Sequence, residues 1–77
     1  MKRALVTGAA GFIGIQIVSV LLKENYDVSA LIVAGDDKGR DKLVNLSNKI
    51  HIIDNLESGD KYCPYDVIYH LATVGLR

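Results

Sequence analysis

Three glycines, Gly8, Gly11 and Gly14, stand three residues apart in TGAAGFIG, between the apolar run Ala4-Leu5-Val6 and a second apolar run over residues 15–22. Glycine costs roughly 0.5–1 kcal/mol relative to alanine inside an ordered element, so this turn needs backbone without side chains. A buried strand that passes into a buried helix through such a turn requires further layers to cover both, which points to an α/β architecture.

The rest of the chain continues the alternation. Residues 2–7 read as a strand ended by glycine. In residues 12–24 the polar positions Gln16, Ser19 and Lys23 recur at spacings of three and four and share one narrow face, so the remainder of this helix must lie against a sheet. Asn25-Tyr26-Asp27 breaks the pattern, and VSALIV (28–33) reads as a second buried strand. AGDDKGR is expected to be a solvated loop, followed by a short helix over 41–46. Residues 50–53 form a third strand with His51 its only polar member. About a dozen residues containing Gly59 and Pro64 lead to a fourth strand over 66–71. This order predicts a parallel sheet with right-handed crossovers.

Composition narrows the possible partners. The 77 residues carry nine basic and nine acidic side chains and no net charge, which fits one globular domain without the basic balance that nucleic acid favours. The single cysteine, Cys63, forms no internal disulfide and joins no metal-ligand cluster with His51 or His70, so a reduced, cytoplasmic setting is expected. The basic start MKRALV loses its apolar character at Thr7 and Gly8, unlike an export signal. Residues 12–22 are apolar over too short a span to cross a bilayer at ~20 residues per pass, so they read as a core helix and no membrane partner is expected.

In a doubly wound sheet the first strand-to-helix turn holds the pyrophosphate of a dinucleotide. One glycine makes the turn, one admits the phosphates, and one lets helix and strand pack closely. The helix N-terminus adds unpaired N–H groups and a partial positive charge. Gly8, Gly11 and Gly14 fit those three roles. The phosphate loop of nucleotide triphosphatases needs Lys and then Ser or Thr after its last glycine, whereas Gly14 is followed by Ile15 and Gln16.

TGAAGFIG resembles the T-G-x-x-G-x-x-G motif of the extended short-chain dehydrogenase/reductases, the NAD-dependent epimerase/dehydratase family. DVIYHLA, residues 66–72, resembles that family's fourth-strand pattern of an acidic residue, an apolar strand and His-x-Ala. The resemblance covers essentially the whole chain and the N-terminal quarter or so of a family member. It implies a Rossmann-like doubly wound parallel sheet, here the four-strand N-terminal portion of an incomplete domain. It also implies that backbone around Gly8 and Gly11 to Ile13 holds the pyrophosphate, with Phe12 and Ile13 closing the turn and Gly14 packing helix on strand. Leu71, Ala72 and Thr73 would line the path of the nicotinamide-side ribose. An adenine contact after the third strand falls to Asp54 or Asn55.

The chain departs from the pattern at two places. An acidic residue should end the second strand if the cofactor is NAD, or an arginine should stand near if it is NADP; Ile32, Val33 and Ala34 occupy that place. Asp36 and Asp37 come a few residues later, and Lys38 and Arg40 would reach a 2′-phosphate only if the loop folds back. NAD is the first expectation and NADP the alternative. The family's hydride transfer uses a Tyr-x-x-x-Lys pair, in which lysine lowers the phenol pKa. None of Tyr26, Tyr62, Tyr65 and Tyr69 has lysine four places on, so no catalytic residue is assigned. Ser19, Ser58, Cys63, His51 and His70 have no activating neighbour placed by sequence.

Two functions follow. The first is an NAD(P)-binding segment of an epimerase, dehydratase or reductase, whose complete parent moves hydride to and from a substrate hydroxyl; the short link between the third and fourth strands suits sugar-nucleotide epimerases. The second is a non-catalytic module that binds a dinucleotide or a partner. Four strands leave the fourth as an open edge, and the 55–65 connection looks too short to cover the second sheet face fully. Self-association or a partner is therefore expected to cover the edge.

Overall fold

The computed structural model describes residues 2–55, 57, 62 and 64–71. Its elements in chain order are β1 (Arg3–Thr7), α1 (Phe12–Lys23), β2 (Asp27–Leu31), α2 (Asp37–Leu46), β3 (His51–Ile53) and β4 (Val67–His70). The strands form one sheet in the order β3-β2-β1-β4, with every neighbouring pair parallel. The chain therefore winds from β1 out to β3 and then returns to the other side of β1. Ala4 lies opposite Val28 of β2 and Val67 of β4, and Ser29 opposite Leu5 and His51.

Side chains alternate across the strands, which sorts the sheet into two faces. Ala4, Val6, Val28, Ala30 and Ile50 meet Val18 and Leu21 of α1 and Leu43 of α2 in one buried cluster. The two helices cover this face, as the apolar patterning required. Glu24 is the C-cap of helix α1, and Asn25 follows with φ 64°, a left-handed conformation that asparagine tolerates. Tyr26 N–H then bonds Leu21 O and Asp27 N–H bonds Lys2 O, which sets the start of β2 beside β1.

One expectation changes. Helix α2 begins at Asp37, inside the stretch expected to be a loop, rather than at 41. Asp36 caps it, its carboxylate accepting from Gly39 N–H at 3.0 Å. Gly39 is buried because the first turn of α2 comes against Ala10. A glycine inside a charged stretch thus marks a close approach of backbone instead of a loop.

On the second face burial is uneven. Leu5, Ser29 and Ile53 on this face are 5%, 1% and 4% exposed. Toward the strand starts, Tyr62 stacks on His51 with ring centroids 4.1 Å apart. His51 Nε2 and Asp27 Oδ1 are 2.8 Å apart, and Arg3 Nη1 donates to Tyr62 O at 3.0 Å. These contacts hold Tyr62 at the start of the sheet. At the edge, Ile68 of β4 remains exposed.

Candidate functional site

The site is built at the C-terminal ends of β1, β2 and β4. Parallel strands carry ligands there, at the point where the strand order reverses; in this sheet that point lies between β1 and β4. Leu71 N–H donates to Thr7 O at 3.3 Å, so the end of β4 is held against the end of β1 where the glycine turn begins.

The three glycines do different work. Gly8 has φ 67°, a backbone that L side chains rarely adopt, and its N–H bonds Leu31 O at 3.2 Å. A Cβ on Gly14 would collide with Gly8 O and stand 2.8 Å from Cα of Ala9. Gly14 therefore lets α1 rest on the turn. Among the described residues a Cβ on Gly11 would meet only Gly8 O, at an ordinary 3.5 Å. Packing inside the protein does not demand glycine at position 11, and this residue faces the cleft.

Gly11 is also the N-cap of α1 and offers no side chain to the helix. The first turn of α1 contains no acidic residue. The N–H groups of Phe12, Ile13 and Gly14 have no intrahelical acceptor by helix geometry, so α1 presents a bare positive end. Helix α2 differs, since Asp36 caps it and Asp37 stands in its first turn.

A cleft of about 470 Å³ runs from this turn to α2, lined among others by Gly8, Gly11, Val33, Lys38, Lys42 and Leu71. That volume is within the range typical of small-molecule sites. A second cleft of about 380 Å³ adjoins it on the far side of Ala10 and Gly11 and includes Phe12, Gln16 and Lys42.

The residues expected from sequence are only partly gathered. Gly8, Gly11 and Leu71 share the first cleft, and Phe12 lines the second. Ile13 is turned toward a groove between α1 and β4, and Gly14 is buried beneath the turn. Asp54 and Asn55 follow β3 at the same end of the sheet, exposed and joined by an Asn55 Nδ2 to Asp54 Oδ1 bond of 3.2 Å, but they do not line the cleft. Ala72 and Thr73 lie outside the described residues, as do Ser58 and Cys63. Arg40 does not line the cleft, whereas Lys42, which the sequence reading passed over, does. The spacing of Lys38 and Lys42, four residues apart on one helix face, was the available signal. Ser19, in contrast, donates its hydroxyl to Ile15 O at 3.0 Å within α1. Among the described residues no group of His, Cys, Asp or Glu is placed to hold a metal ion, and no helix is long and apolar enough to cross a membrane.

The fold and its turn define a Rossmann-like α/β unit with a glycine-rich corner at its switch point. The bare end of α1 and the adjoining cleft meet at Gly11. More particularly, the chain belongs to the NAD dependent epimerase/dehydratase family, whose model matches residues 4–76. It is 38% identical over 74 residues to ketoreductase azaE of Aspergillus niger, a match that covers 96% of this chain and 19% of that protein. The terminal R domain from the myxalamid PKS-NRPS biosynthetic pathway has the same fold, with a TM-score of 0.67 at 18% identity over 91% of this chain and 24% of that one. The chain thus spans less than two thirds of the length of either protein.

Proposed function

We propose that this chain is the dinucleotide-holding portion of a hydride-transferring reductase or epimerase. The observation that carries the reading is Gly11, a residue whose missing side chain the protein's own packing does not need, at the uncapped start of α1. The pyrophosphate would lie over Gly8 and Gly11 and accept from the N–H groups of Phe12 and Ile13. Leu71, with Ala72 and Thr73 after it, would border the nicotinamide-side ribose, and Asp54 or Asn55 would approach the adenine. The nicotinamide, when bound, supplies the hydride-accepting or hydride-donating carbon.

The residues of this chain bind and orient; they do not supply the acid–base pair. Protonation of the substrate oxygen requires the Tyr-x-x-x-Lys pair of the family, which these 77 residues do not contain. The likeness to a ketoreductase favours reduction of a carbonyl in a complete parent over epimerisation of a nucleotide sugar.

Calorimetric titration of the chain with NAD and NADP tests the reading, repeated on Gly11→Asp, which puts a carboxylate where the pyrophosphate would lie. Saturable binding lost in the variant supports it. Binding that survives the carboxylate moves the dinucleotide elsewhere and refutes the assignment. No binding to the unaltered chain favours the second reading, a module whose ligand is a partner protein.

A further inference from the structure

Resting on that reading, we propose that the cleft selects the 2′-phosphorylated dinucleotide, NADP, and does so through Lys38 and Lys42 of α2 instead of through a residue at the tip of β2. The tip is Val33, which is 77% exposed and lines the cleft. It has neither a carboxylate to accept from the ribose hydroxyls of NAD nor a cation to meet a phosphate. The sequence therefore supplies no discrimination at the position where this fold ordinarily makes it.

The charge comes from the facing wall. Lys38 and Lys42 are one helical turn apart on α2, and both line the cleft that contains Gly8 and Gly11. Asp36 is the single carboxylate among the described lining residues. It is engaged at the N-cap, accepting from Gly39 N–H at 3.0 Å. Two ammonium groups against one engaged carboxylate give the wall an excess of positive charge. Such a wall favours an additional phosphate over a bare ribose diol.

Close approach makes this charge effective. Gly39 lies between the two lysines in sequence and allows α2 to rest against Ala10 of the glycine turn. Lys42 consequently borders both clefts flanking Ala10 and Gly11. Were Lys42 to serve the pyrophosphate alone, it would support NAD and NADP equally, and this alternative is separable by experiment.

The test is calorimetric titration with NADP and with NAD at one low ionic strength, using the unaltered chain, the double variant Lys38→Met/Lys42→Met, and Lys38→Arg/Lys42→Arg. The unaltered chain is expected to bind NADP at least about ten-fold more tightly than NAD, the worth of one charge-assisted contact. The methionine pair should lose most of that preference, NADP affinity falling by several-fold more than NAD affinity, and the arginine pair should keep it. Circular dichroism establishes that the variants retain their helices. NAD binding equal to or tighter than NADP binding overturns the inference and leaves the cofactor site standing, as does an equal loss of both dinucleotides in the methionine pair. Failure of both dinucleotides to bind the unaltered chain overturns the site itself, and this inference with it.

Discussion

Gly14 lies against the carbonyl of Gly8 so closely that a side chain at position 14 has no place to go, whereas a Cβ at Gly11, three residues earlier, would make only an ordinary contact with the same carbonyl among the described residues. The two glycines of one motif therefore answer to different pressures, structure for Gly14 and ligand for Gly11. Gly14→Ala is expected to destabilise the chain by about 1–3 kcal/mol, the usual cost of overpacking against rigid backbone. Gly11→Ala should cost less than about 1 kcal/mol, because its backbone at φ −73° and ψ 171° suits alanine. Urea melts and dinucleotide titrations of the two variants separate these effects. A Gly11→Ala chain that unfolds as readily as Gly14→Ala would contradict the division.

Gly39 makes the second tight contact of the site. A Cβ there would stand 2.7 Å from the Cβ of Ala10 and would collide with the Asp36 carboxylate that caps the helix. Gly39→Ala must then displace the cap or push α2 away from the turn. The expected loss is about 1–3 kcal/mol, larger than the roughly 1 kcal/mol expected for Asp36→Ala, which removes the cap alone. Chemical denaturation of both variants checks the order, and a Gly39→Ala chain of unchanged stability would mean that α2 does not press on the turn.

Much of this was legible because it depends on local pattern. The apolar runs and the glycine turn between them located β1, α1 and the switch-point site, and strand–helix alternation gave the parallel sheet. What the sequence hid was set by contacts between distant segments. Gly39 read as a loop residue because a glycine among Asp37, Lys38 and Arg40 has no local reason to be helical; its reason is Ala10, 29 positions earlier. Lys42 escaped notice for the same cause, since its neighbour across the cleft is Gly11. The contacts of Tyr62 with His51 and Arg3 are likewise ones that no periodicity announces.

Ser29 is buried in the middle of β2 on that second face, flanked in register by Leu5 and His51, and its hydroxyl has no hydrogen-bond partner among the described residues. A buried hydroxyl without a partner carries its desolvation penalty uncompensated. Ser29→Ala is expected to leave stability unchanged or raise it by up to about 1 kcal/mol, read as a higher urea midpoint at constant slope. A clear loss of stability would show that the hydroxyl is bonded in the folded chain.

The edge of β4 supplies the last prediction. Ile13, Ile17, Val20 and Tyr69 line an apolar groove of about 270 Å³ between α1 and this edge. Ile13 and Val20 are 53% and 58% exposed, and no strand among the described residues pairs with the outer side of β4. An apolar groove beside unpaired strand backbone is the arrangement that most readily recruits a second copy of the same chain. Analytical ultracentrifugation of the 77-residue chain is accordingly expected to give a sedimentation coefficient that rises with concentration. Val20→Lys places a charge in the groove without touching the buried side of α1, so it should shift the chain toward monomer while the helical circular dichroism signal is kept. A compact monomer at every concentration, melting cooperatively at high temperature, would mean that the groove is too small to drive association and that four strands and two helices suffice alone.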